Sequence, residues 1–177
     1  MKTLIAYSST HGSAAECARF LAGILGDTDV VDLKKGDANP AGFDAVILGS
    51  SVYGGQIQKE VKDFCKKYLG ILLQKPIGIY LTCLTEERDE IRQFLENGFP
   101  SEIVGRLTAF CTPGGAIYFT KMNFLERNAS KILLNGISKS KGAGKITDGK
   151  TDYVTLSKEK LEAFARRMAG NQERNPS

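Results

Sequence analysis

Short apolar runs alternate along this chain with longer stretches in which apolar residues return every three or four positions. Lys2 to Tyr7 is a short run that turns polar at Ser8, and from Ala14 to Leu25 the apolar positions take helical spacing. Val30 to Leu33 predicts a second strand, and Lys34 to Gly42, with Gly36, Asn39 and Pro40, predicts a loop. Phe43 to Gly49 is almost continuously apolar, as expected of a strand covered on both faces. Ser50 to Gln56 is predicted as a loop, and Val61, Phe64, Cys65 and Tyr68 as one face of a helix. Pro76 to Cys83 repeats the buried-strand pattern, Glu86 to Glu96 the helical one, and Leu107 to Cys111 is a fifth strand. Leu161, Phe164, Ala165 and Met168 mark the inward side of a closing helix from Leu156 to Ala169.

Strict strand and helix alternation predicts a parallel sheet wrapped on both faces. Residues 113 to 155 exceed that minimum. They open on Pro113, Gly114 and Gly115, run through a helical segment from about Thr120 to Gly136, and end in a Lys- and Gly-rich linker from Ser138 to Lys150. This stretch is expected to be an insertion that follows, or splits, the last strand. Met122, Leu125, Ala129, Ile132, Leu133 and Gly136 recur there at helical spacing, with Lys121, Arg127, Lys131 and Lys139 around them.

With 177 residues and 42% apolar content, one α/β domain spanning residues 1–177 accounts for the chain. The first apolar run is too short for a signal peptide or a membrane span, so a cytoplasmic location is expected. Cys17, Cys65, Cys83 and Cys111 are far apart and form no C-x-x-C pair, and His11 is the single histidine. Reduced core thiols and no metal centre are expected. The net charge of +4 is uneven: from Lys121 onward there are twelve Lys and Arg against six Asp and Glu, while residues 1 to 120 carry twelve against fourteen. A basic final third suits a solvated surface, an anionic substrate or a membrane; nucleic acid is not an expected partner.

Candidate chemistry lies at the strand ends. The first strand runs into Ser8, Ser9, Thr10, His11, Gly12, Ser13 and Ala14 directly before a helix. Free amides and a partial positive charge at a helix start let such a loop wrap a phosphate. The loop is neither G-x-x-x-x-G-K-[ST] nor G-x-G-x-x-G, so nucleoside triphosphates and dinucleotides are disfavoured. The third strand ends likewise in small polar residues and an aromatic, from Gly49 to Gly55 with Tyr53 among them. In an open parallel sheet of order 2-1-3-4-5 the first and third strands flank the switch point, so one ligand can touch both loops. Tyr53, between flexible neighbours, suits stacking on a planar ring. These loops carry Ser, Thr and Gly in place of catalytic carboxylates, so no catalytic side chain is assigned.

Over nearly its whole length the sequence resembles the flavodoxin family. Ser9, Thr10, His11, Gly12, Ser13 and Ala14 match the family's phosphate loop, S-T-x-G-x-T, although His11 stands at a usual Thr and Ala14 at a usual hydroxyl position. Ser51, Val52, Tyr53 and Gly54 resemble its first isoalloxazine loop; Thr82, Cys83, Leu84 and Thr85 hold the place of the second, without the usual aromatic. The resemblance implies a flavodoxin-like doubly wound five-stranded parallel sheet, noncovalent FMN held by these fourteen residues, and electron transfer with redox proteins or a quinone. One flavin face is then more open than in a carrier flavodoxin, or covered by a residue of the insertion such as Tyr118 or Phe119, and Ser13 or backbone amides make up for Ala14. The late insertion and basic final third are similar in layout to menaquinone-linked protoporphyrinogen oxidases, which is the alternative to a pure carrier, and residues 120–150 are a candidate for peripheral membrane contact. A phosphoacceptor receiver domain shares the sheet, but Ser8 and Ser9 stand where it needs acidic residues. A non-catalytic interaction module would bind no flavin.

Overall fold

A computed structural model describes residues 1–140 and 147–170. Strands β1 (Thr3–Ser8), β2 (Thr28–Asp32), β3 (Ala45–Tyr53), β5 (Ile77–Thr82) and β6 (Ala109–Gly114) pair in parallel in the order β2-β1-β3-β5-β6. The short β4 (Gln56–Ile57) lies antiparallel to the end of β3. Counted without β4, the parallel strands follow the expected order 2-1-3-4-5. Every residue of β5 is buried, as are seven of the nine in β3, because helices cover both faces and leave no side for polar alternation.

Helices α1 (Ser13–Leu25) and α6 (Lys158–Gly170) cover one face. Cys17, Ala18, Leu21, Leu161, Phe164 and Met168 pack there on Ile5, Ile47 and Tyr80. On the other face α2 (Lys59–Leu72) and α3 (Arg88–Gly98), with the one-turn α4 (Ser101–Val104), pack Val61, Phe64 and Ile103 on Leu4, Val46, Leu48 and Ile79.

The structure corrects one expectation and chooses between the two alternatives for the insertion. The Ser50–Gln56 segment is no open loop: β3 continues through Tyr53 and folds back on β4 through Gly54 and Gly55, at φ 57° and 75°. Both turn residues occupy the left-handed region, where glycine pays no Cβ penalty, as a tight hairpin of this hand requires. The last sheet strand is not split; the insertion follows β6. Its neck is closed by β7 (Ala116–Ile117) pairing antiparallel with β8 (Tyr153–Val154), and Thr155 and Ser157 donate their amides to the Gly115 and Pro113 carbonyls at 2.9 and 2.7 Å.

Within the insertion a 3-10 turn, Phe119–Lys121, leads into α5 (Phe124–Ser140). The apolar stripe read from the sequence divides here. Met122 turns inward and forms a small core with Phe119 and Leu134, against which Leu84, Ile117 and Tyr153 pack. Phe124, Leu125 and Ile132 are instead 76%, 77% and 74% exposed, and Ala129 and Gly136 also face outward. The side chains of Leu133 and Lys139, and residues 141–146 of the Ser138–Lys150 linker, lie outside the described residues, while α5 continues through the linker's first three positions.

Candidate functional site

Register places three strand ends at one level: Ser8 lies opposite Ser50, and Ser51 opposite Thr82. The loops after β1, β3 and β5 therefore converge at the carboxyl edge of the sheet, beside its switch point. Gly12 adopts φ 104° so that the chain can turn into α1, and it gives that helix no side-chain cap. The first intrahelical bond runs from the Glu16 amide to the Gly12 carbonyl at 3.0 Å. The amides before Glu16 in that first turn stay open to an acceptor such as a phosphate.

The sequence-predicted residues of the first two loops are tied together by hydrogen bonds. Ser9 Oγ accepts the Gly12 amide at 3.0 Å and keeps its own proton to donate. The Thr10 amide donates to Ser51 Oγ at 3.2 Å. His11 meets Tyr53 edge-on, with ring centroids 5.8 Å apart, and its buried Nε2 has no hydrogen-bond partner among the described residues. Ser13 Oγ and Thr82 Oγ1 are 2.8 Å apart, both buried, which joins the first loop to the third. Ala14 is buried and contributes only backbone; its carbonyl accepts the Tyr80 hydroxyl at 2.8 Å. Ser51 is buried, Val52 half-buried, and Tyr53, at 53% exposed, stands at the lip of the cleft beside Gly54.

The third loop is held differently. The Cys83 amide donates to the Gly114 carbonyl at 3.1 Å, so it is not open to a ligand, and its thiol reaches toward the Thr85 carbonyl at 3.7 Å. Burial pushes the Cys83 thiol up to about 11, which keeps it protonated and unreactive at neutral pH. Leu84 packs on the insertion core, and the Thr85 hydroxyl accepts the Glu87 amide at 3.1 Å. Phe119 is fully buried, while Tyr118 is buried and donates its hydroxyl to Glu16 in the first turn of α1. With both rings packed in the insertion, the structure favours the more open face among the two alternatives read from the sequence.

Gln58 holds the site although no motif marks it. Its amide donates to Ser50 Oγ at 2.9 Å and its Nε2 to the Ser51 carbonyl at 3.1 Å, while its Oε1 accepts the Thr10 hydroxyl at 3.0 Å. One side chain thus fixes the spacing of the phosphate-type loop against β3.

A family model for the flavodoxin domain matches residues 4–142. The chain belongs to the flavodoxin family. Protoporphyrinogen IX dehydrogenase [quinone] of Escherichia coli (strain K12) is 25% identical over 178 residues, covering 96% of this chain and 95% of that protein. Oxidised flavodoxin 1 of Bacillus cereus superposes over 99% of this chain and 100% of its own with a TM-score of 0.54 at 14% identity, a likeness of fold. Family membership makes this an FMN-binding flavodoxin-like protein, and the cleft fits that cofactor. Open first-turn amides and the Ser9 hydroxyl answer a phosphate, an orphaned His11 nitrogen lies in the same loop, and Tyr53 offers an exposed aromatic face.

Proposed function

We propose that FMN sits, without a covalent bond, with its phosphate in the loop Ser9, Thr10, His11, Gly12, Ser13 and Ala14 and its ring along Ser51, Val52, Tyr53 and Gly54, bordered by Thr82, Cys83, Leu84 and Thr85. The observation that carries this reading is the set of bonds from Thr10 to Ser51 and from Ser13 to Thr82, which preorganises three loops around one cleft. Bound FMN supplies the redox chemistry, taking up and giving out electrons. The open amides of α1 and the Ser9 hydroxyl anchor the anionic end and fix how deeply the ring enters. The Tyr53 face excludes water from one side of the ring, and an electron-rich, poorly solvated neighbour disfavours added negative charge there. Protein purified with its chromophore is yellow and releases FMN on denaturation. A colourless protein that takes up no added flavin refutes this reading.

Electron exchange with a quinone, by a cytoplasmic protein resting on a membrane, is the second reading. It is supported by the name of the E. coli relative and by α5, where Phe124, Leu125 and Ile132 are exposed and Arg127 and Lys131 lie on the same helix. An apolar helix face rimmed by cations suits an anionic bilayer. No helix among the described residues is long and apolar enough to cross a membrane, and a peripheral contact requires none. Anaerobic incubation with protoporphyrinogen and menaquinone separates an oxidase, which oxidises the first while reducing the second, from a carrier, which turns over neither alone. Replacing Phe124, Leu125 and Ile132 together by glutamine removes sedimentation with phosphatidylglycerol vesicles if the face docks there; unchanged sedimentation refutes it.

A further inference from the structure

The phosphate-type loop is poorer in hydroxyls than the form it resembles. Histidine and alanine occupy two positions where the family's loop carries hydroxyls, and the Ser13 hydroxyl is already joined to Thr82. A phosphate monoester carries between one and two negative charges near neutral pH, and amide dipoles alone leave much of that uncompensated.

The insertion brings a cation to this place. Lys121 Nζ stands 3.4 Å from the point where a Cβ on Gly12 would be, next to the loop. It is held there from several sides. Nζ lies 4.0 Å above the centroid of the Tyr118 ring, and the Tyr118 hydroxyl is bonded to Glu16 in the first turn of α1. The Lys121 amide donates to the Tyr118 carbonyl at 2.9 Å, and the neighbouring Thr120 binds the Asp152 carboxylate through its amide and its hydroxyl, each at 3.0 Å. Phe119, next in the same turn, is fully buried. Lys121 forms no ion pair among the described residues. Its charge is placed beside the loop and is not spent on a protein carboxylate.

We infer that Lys121 is a phosphate-recognition residue, a cation supplied by the insertion that offsets the missing hydroxyls of the FMN phosphate loop. The inference rests on the FMN reading above and adds a role for the insertion in cofactor selection. An ammonium on a flexible stem acts on a phosphate as a point charge and tolerates small differences in approach, which suits a residue reaching in from a separate segment.

The test compares FMN with riboflavin, which has the same ring and lacks the phosphate. Apoprotein of wild type, Lys121→Met and Lys121→Arg is titrated with each ligand by flavin fluorescence at low and moderate salt. Met keeps the aliphatic packing on Tyr118 and removes only the charge. Losing one charge-assisted contact at a partly solvated position weakens FMN about tenfold, while riboflavin is unchanged, Arg restores most of the FMN affinity, and the salt dependence of FMN binding flattens in the Met variant. Equal weakening of both ligands makes Lys121 a structural brace and overturns the inference, as does an unchanged FMN affinity. If wild type itself binds neither flavin, the FMN reading fails, a result distinct from any difference among the three proteins.

Discussion

Replacing Ser13 by alanine strands the hydroxyl of Thr82. The two oxygens are 2.8 Å apart, and Ser13 and Thr82 are 5% and 2% exposed, so water cannot take the lost partner's place. The bond itself is worth about 1 kcal/mol and the unsatisfied buried hydroxyl costs about 1 to 3 kcal/mol, so Ser13→Ala is expected to destabilise the apoprotein by about 2 kcal/mol. For a chain of this size that is a fall in melting temperature of about 4–8 °C. Thr82→Val strands the Ser13 hydroxyl and costs a similar amount. The double variant removes both polar groups while keeping their shape, so its cost falls short of the sum of the singles by about 1 to 2 kcal/mol. Thermal and urea unfolding of the four apoproteins measure this directly. Strict additivity refutes the claim that these hydroxyls join the first loop to the third.

Tyr53→Ala is expected to weaken FMN by about 1 to 2 kcal/mol, the worth of an aromatic stacking face at a half-exposed site, and to raise the flavin potential; unchanged affinity and unchanged fluorescence quenching contradict the stacking role. A Cβ on Gly49 would lie 2.1 Å from the Tyr80 ring, which is fully buried and bonded to the Ala14 carbonyl at the start of α1. Gly49→Ala should therefore cost about 3 kcal/mol through overpacking and loosen FMN by shifting α1; a melting curve matching wild type contradicts that. Burial pushes Cys17 and Cys65 up to about 12, and Cys83 and Cys111 to about 11, from an ordinary value of 9.0. All four should resist thiol reagents at pH 8 until the protein unfolds. Because the unfolded chain releases these protons at lower pH than the folded one, stability is unaffected by them below about pH 9 and declines from there toward pH 12. Rapid labelling of the native protein, or stability that rises over that range, refutes the assignment.

The sheet was legible because its chemistry is local. Runs such as Phe43 to Gly49 and Pro76 to Cys83 are apolar on both alternating faces, which only a doubly covered strand explains. The hydroxyl-rich stretch before α1 and Tyr53 at the end of β3 could be picked out for the same reason. What stayed hidden depends on pairs far apart in the chain. Glu16 meets Tyr118 across 102 positions, and Lys121 comes to rest beside Gly12; no local pattern encodes either contact. Gln58 is an ordinary polar residue before a helix, and only the fold shows its amide between Thr10 and Ser51. The outward turn of Leu125 and Ile132 escaped as well, since helical spacing fixes that residues share a face but not which way the face points. The Gly54–Gly55 hairpin did carry a signal, a two-glycine pair between short extended segments.

Titration of the apoprotein with FMN and with FAD tests the central claim most directly. On the proposed reading, the loop closed by the bonds from Ser9 to Gly12 and from Thr10 to Ser51, and flanked by Lys121, receives a terminal phosphate. A pyrophosphate would need an exit path with further donors. The expected result is saturation at one FMN per chain with quenched flavin fluorescence, and FAD bound at least about tenfold more weakly, the loss of about one charge-assisted contact. FAD binding as tight as FMN, or no saturable binding of either, contradicts the account.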